Sequence, residues 1–172
     1  MRTIRQGPGF TLIELLLYIA IVSVLLSMVV GLYAALAQSR TKMQAVSEVE
    51  MQGYHAMAQI TAVIRKAQSI SSPTPGNEAG SLTLVTGTTT NPTIIDIASS
   101  TLRIKEGASN PVALTNSRVR VSNLVFENFT NTGTQGSIFV YFTLSNSSTT
   151  GRYDSTYSAI YYGAATIRRI SQ

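Results

Sequence analysis

Residues 10–37 form one apolar run, FTLIELLLYIAIVSVLLSMVVGLYAALA, relieved only by Thr11, Glu14, Ser23 and Ser27. About 20 apolar residues suffice for a helix to cross a bilayer, and this run is longer. Arg2 and Arg5 precede it, which predicts that the N-terminus stays in the cytoplasm and that the rest of the chain lies outside. Glu14 is the anomaly, because a bare carboxylate in hydrocarbon is costly unless it is paired. Three readings compete. The segment is a plain single-pass anchor. Or it is a secretory signal peptide, since Ala35-Leu36-Ala37 has the small-x-small cleavage pattern. That run, however, exceeds the usual core of roughly 7–15 residues, and Glu14 sits where such a peptide is most apolar. Or the chain is cut between Gly9 and Phe10. A new ammonium then appears at Phe10, and Glu14 can meet that terminus or a neighbour's.

Gly9-Phe10-Thr11-Leu12-Ile13-Glu14-Leu15-Leu16 resembles the processing motif of type IV pilins and type II secretion pseudopilins. The resemblance implies a membrane peptidase that cuts after Gly9 and then N-methylates Phe10. It also implies that Glu14 pairs with the N-terminus of an adjacent subunit during assembly. The implied partners are the prepilin peptidase/methyltransferase, other pilin or pseudopilin subunits, and the cytoplasmic membrane before assembly into a surface filament. Two departures are visible. Pro8 stands where many members have a basic residue before the Gly, and Gly31 stands where many have a Pro within the apolar helix.

The chain after residue 37 supports a second helical half. Met43, Val46, Glu50, Gly53, Met57, Ile60, Ile64 and Ala67 repeat at alternating spacings of three and four, the stripe of a helix lying against something apolar. Arg40, Lys42, Gln44, Glu48, Gln52, Gln59, Arg65 and Lys66 fall on the face expected in water. No Pro lies between Phe10 and Ser72, so one helix is expected over about 10–68, with the downstream domain as the partner of its stripe. Its methionines read as core filler. His55, the sole histidine, lies off the stripe and is expected to be exposed.

SISSPTPGNEAGS, residues 69–81, breaks the helix and reads as a linker. Beyond it, alternating segments predict strands at 82–86, 93–97, 102–105, 112–114, 119–126, 138–144 and 157–167. In the fifth, the apolar phase switches between Val121 and Leu124, which makes Ser122-Asn123 a candidate β-bulge. In the sixth, Ile138, Val140, Phe142 and Leu144 share one face. The expected fold class is α+β, a long N-terminal helix packed on a C-terminal antiparallel sheet with one apolar face. The segmentation is 1–9 leader, 10–69 helix (10–37 apolar, 38–69 amphipathic) and 70–172 globular. The stretch from LRIKEG through VRVSNLVFENF to SIFVYFTLS is also similar in layout to minor pilins and J-type minor pseudopilins, which implies a minor subunit.

Little here suggests catalysis. With no Cys and no Trp, disulfides and thiolate metal sites are excluded. The net charge is +5, and without Arg2 and Arg5 the remaining 11 basic and 8 acidic residues are scattered, so nucleic-acid binding is not indicated. Glu48 and Glu50 lie two apart on a helix and face different ways. Asp96, Glu106, Glu127 and Asp154 read as isolated, and no Gly-rich segment is followed by the Lys-Ser/Thr of a phosphate loop. No enzyme, cofactor or metal is expected. Asn128-Phe129-Thr130 and Asn146-Ser147-Ser148 have the glycosylation shape but arise easily in Ser/Thr-rich chains. The tyrosines near the C-terminus read as packing residues. Two classes therefore remain: a filament subunit for secretion, DNA uptake, adhesion or motility, or a membrane-tethered exported binding module that does not polymerise.

Overall fold

A computed structural model describes residues 9–87, 89–147 and 157–168. Arg2, Arg5, Pro8 and the rest of the expected leader before Gly9 lie outside the described residues, as do Asp154 and Ser148. The chain divides into two compact units, Met1–Thr41 and Lys42–Gln172. One helix, α1 (Leu12–Lys66), belongs to both.

In the second unit the helix ends where the chain turns into sheet. The Ala67 amide donates back to Ile64 O (3.2 Å), and the Gln68 amide is already bonded to Val85 O (2.8 Å). Arg65 and Lys66 occupy the last turn, where cations suit the negative end of the helix dipole. Nine strands follow among the described residues. They are β1 (Ser69–Ser72), β2 (Glu78–Ala79), β3 (Leu82–Val85), β4 (Thr93–Ala98), β5 (Thr101–Glu106), β6 (Val112–Ala113), β7 (Val119–Asn128), β8 (Ser137–Asn146) and β9 (Ser158–Thr166). The pairings among these strands are all antiparallel.

The single expected sheet is in fact two, one of five strands in the order β1-β3-β4-β5-β6 and one of four in the order β2-β7-β8-β9. The expected linker over 69–81 is the reason. It carries β1 and β2, and Pro73, Pro75 and Gly76 between them let the two short strands join different sheets. The second crossing, 114–118, is pinned at several points. Thr115 is buried and its hydroxyl accepts from the Leu102 amide (3.1 Å). The Val121 amide reaches across to Ser100 O (2.8 Å), and the Ser147 amide to Arg118 O (2.7 Å). Paired backbone groups are what the buried part of the crossing requires.

The bulge is where the apolar phase placed it. The β7–β8 register shifts between Ser122 and Val125, and Asn123 takes a positive φ of 51°, a conformation Asn tolerates better than most residues. The extra residue returns Leu124 and Phe126 to the core beside Val119 and Val121. Opposite them, Ile138, Val140, Phe142 and Leu144 of β8 are all buried, as the alternation predicts.

The helix stripe differs from expectation by a rotation. Val49, Gly53, Ala56, Ile60, Ile64 and Ala67 are buried, whereas Met43 and Glu50 are exposed and Val46 and Met57 half-buried. The track Gly53-Ile60-Ala67 is common to both patterns. On a helix of 3.6 residues per turn, its neighbours at +3 and at +4 lie on opposite flanks. The domain settles on the +3 flank in the upper half, where Gly53 and Ala56 are small enough for close approach. The Tyr161 ring lies over Gly53, and a Cβ built on Gly53 would stand 2.2 Å from Tyr161 Cζ. Met57 lies against Gly163 in the same way.

Candidate functional site

In the first unit the chain leaves its non-helical start at Leu12. The Thr11 carbonyl accepts from the amides of Glu14 (3.1 Å) and Leu15 (3.2 Å), which closes the first turn. Gly9 and Phe10 therefore lie before the helix, with a backbone free of helical hydrogen bonds. A Cβ on Gly9 would meet nothing within 4 Å, so the local fold does not itself demand glycine there. Phe10 is 69% exposed, and its ring centroid is 5.9 Å from that of Tyr18. Glu14 is exposed in the first turn, where a carboxylate is favoured by the helix dipole and the orphan amides. Among the described residues it has no ion-pair partner.

The remainder of this unit suits an apolar surrounding. Its large side chains from Leu12 to Leu36 are exposed throughout, and the helix is long and apolar enough to cross a membrane by length and composition. The two serines cost little there, because Ser23 Oγ donates to Ile19 O (2.6 Å) and Ser27 Oγ to Val24 O (2.8 Å).

In the second unit the polar groups tie elements together. Glu48, expected in water, is partly covered, and its carboxylate accepts from Asn116 Nδ2 (2.6 Å) and lies 3.6 Å from Arg118 Nη1. Glu50 faces another way and accepts from the Tyr157 hydroxyl (3.4 Å). Asp96 is not isolated, because Arg103 pairs with it in a bidentate fork at 2.6 and 3.0 Å across β4 and β5. His55 is exposed and within 3.3 Å of Gln59. Among the described residues no three His, Cys, Asp or Glu side chains converge on a metal-sized site.

Asn128, the last residue of β7, is buried and ties the segment after β1 to the turn after β7. Its Nδ2 donates to Pro73 O (2.7 Å), and its Oδ1 accepts from the Thr130 amide (3.0 Å) and from the Thr130 hydroxyl. That environment removes Asn128 from consideration as a glycan acceptor, which must be a surface residue. Tyr161 is the other residue whose importance spacing alone did not reveal. Its ring stacks on Phe142 (5.7 Å, 27°) and meets Tyr54 edge-on (5.7 Å, 78°), and its hydroxyl donates to Val49 O (3.2 Å). Burial, and then the nearby Tyr157, Glu50 and Tyr54, push its phenol up to about 12. The sequence held a signal for it: a Gly at the middle of a helix stripe marks a place where something large comes close.

No curated protein and no solved structure matches the chain. Residues 8–30 match the model of the prokaryotic N-terminal methylation motif. That motif implies processing by a prepilin peptidase, assembly with other pilin subunits, and anchoring in a membrane by the apolar helix. Together with one long N-terminal helix and antiparallel sheets, the match supports membership of the type IV pilin and pseudopilin family.

Proposed function

We propose that this chain is a subunit of a type IV pilus-like or type II secretion pseudopilus filament, and a minor one. A peptidase cuts between Gly9 and Phe10 on the cytoplasmic side, removing residues 1–9, and Phe10 is N-methylated. The segment 10–37 holds the subunit in the cytoplasmic membrane as a single pass and then joins the filament core. Residues 38–69 and 70–172 form the exported part. The role is structural and needs no cofactor.

The observation that carries this reading is the match over residues 8–30 with Glu14 standing in an otherwise apolar, exposed helix. In hydrocarbon that carboxylate needs a partner, and the ammonium of a neighbouring subunit's processed Phe10 supplies one. The non-helical, uncrowded Gly9-Phe10 junction is suited to an extended fit in a peptidase cleft. Intact-mass and N-terminal analysis of the chain from native membranes tests it. A start at monomethylated Phe10 is expected. A start at Gln38 would identify a cleaved signal peptide, and an intact Met1 a plain anchor.

A further inference from the structure

Among the described residues the two sheets have four edge strands, and three of them are short. β2 and β6 have two residues each, and β1 has four before Pro73. The fourth, β9, runs for nine residues, Ser158–Thr166, and pairs with β8 along one side only. Its sequence, SAIYYGAAT, has no charge and no Pro. Proteins ordinarily blunt such an edge with Lys, Pro, a bulge or a covering element. Here the pairing with β8 is regular from Ser158 to Thr166. Every second residue thus presents an N–H and a C=O outward, and among the described residues none of these groups has a partner outside the β8 ladder.

The side chains beside this edge are also dry in character. Ile160 is 66% and Tyr162 73% exposed. Across the ladder they stand opposite Thr143 and Tyr141. Phe139 is 6.2 Å from Tyr141 and 6.4 Å from Phe129, centroid to centroid. An apolar, largely aromatic strip therefore continues from β9 across the outward face of β8. We infer that β9 is a docking edge, completed in the assembled state by an extended, uncharged strand with outward apolar side chains, supplied by a different polypeptide. Main-chain bonds to the nine-residue edge would give affinity, and the Ile160–Tyr162 strip would set the register.

A second copy of this chain in antiparallel pairing fits poorly. An antiparallel β9–β9 pair is related by a two-fold axis perpendicular to the sheet. Residues 42–66 of α1 pack flat on that sheet's inner face through Gly53 and Met57 against Tyr161 and Gly163. The axis would reverse the helix direction, so the two Lys42 ends would point opposite ways, which one membrane does not allow. The chain's own β1 edge could cover four of the nine residues at most. This exclusion rests on the proposed membrane anchoring; the open edge itself does not.

The test compares full-length protein in detergent with the same protein in native membranes or sheared filaments. In detergent, amide exchange over Ser158–Thr166 should alternate, with β8-facing amides slow and outward amides fast. On assembly the outward amides should slow by at least about tenfold. In parallel, Tyr162→Cys and Ala164→Cys each give the cysteine-free chain one exposed thiol, to be loaded with a maleimide benzophenone in native membranes. Photolysis should yield an adduct to a different polypeptide, mapped to an extended segment of it. Outward amides already slow in detergent would show that the chain covers its own edge and overturn the inference. So would no slowing on assembly, or an adduct of twice the chain's own mass. The N-terminus is read in the same samples. A methylated Phe10 with an unprotected β9 sinks only this inference, and an unprocessed N-terminus sinks the filament reading.

Discussion

Gly53→Ala is a substitution for which helix propensity and packing predict opposite signs. In an isolated helix the change stabilises by about 1 kcal/mol. Here the new methyl would stand 2.2 Å from Tyr161 Cζ and 2.4 Å from Cε1 and Cε2, far inside contact distance. The ring has nowhere cheap to go, since it is stacked on Phe142, met edge-on by Tyr54 and bonded to Val49 O. Overpacking of this kind costs about 1–3 kcal/mol. Losing the aromatic pairing adds about 0.5–1.5, and losing the hydroxyl bond about 1. The net is a destabilisation of about 1.5–4.5 kcal/mol, or on the order of 10 °C in Tm for a domain of this size. Thermal unfolding of the full chain in detergent, followed by tyrosine near-UV circular dichroism, measures it. The same substitution in a Tyr161→Ala background removes the clash and should be neutral or stabilising by up to about 1 kcal/mol, a coupling that a double-mutant cycle isolates. If Gly53→Ala alone leaves Tm unchanged or raises it, the helix does not meet the sheet through Tyr161 as described.

Phe142→Asp should unfold the C-terminal domain, because it buries an unpaired charge at a fully enclosed position. Thr143→Asp, half-covered on the other face, should cost much less in the same unfolding assay. Asn128→Ala should lower stability by about 2–3 kcal/mol in denaturant titration, since it strands Pro73 O and the Thr130 amide. Tyr161 gives a pH signature. Its phenol is pushed from an ordinary 10 up to about 12 in the fold, so the folded state holds this proton more tightly than the unfolded chain. Its contribution is fully present below pH 10 and is lost as pH rises from about 10 towards 12. Tyr161→Phe should flatten that fall in an alkaline stability titration. Gly9→Glu should leave the full-length chain uncut in the membrane, read by intact mass.

The parts of the fold that were legible in the sequence are those set by strict periodicity. Alternation placed β8 and its buried face residue by residue, and the phase switch at Ser122-Asn123 located the bulge because apolar side chains must return to one face. The helix stripe was legible to within one flank only, since 3.6 residues per turn leaves +3 and +4 neighbours nearly equivalent until a partner surface chooses. Choosing depended on Tyr161, over a hundred residues away. The division into two sheets was not legible, because β1 and β2 are short, polar and interleaved with Pro and Gly. Their strand character comes from the ladders they join, not from their own composition. The polar ties of Glu48, Asp96 and Asn128 were hidden for the same reason, as each depends on a partner brought near by folding. The N-terminal methylation motif over residues 8–30 was the most legible, being local in sequence. What a single chain does not contain is the neighbouring subunit proposed here as the partner of its carboxylate.

That neighbour is the central claim, and Glu14→Leu tests it most directly. The variant removes a charge from hydrocarbon and should insert, and be cleaved at Gly9-Phe10, at least as well as the natural chain. Recovery in sheared filaments, normalised to the membrane level of processed protein, should nevertheless fall steeply. Glu14→Gln should fall with it and Glu14→Asp should be intermediate, because the pairing needs both the charge and the reach. Incorporation of Glu14→Leu at the natural level would contradict the account and leave the carboxylate without a purpose.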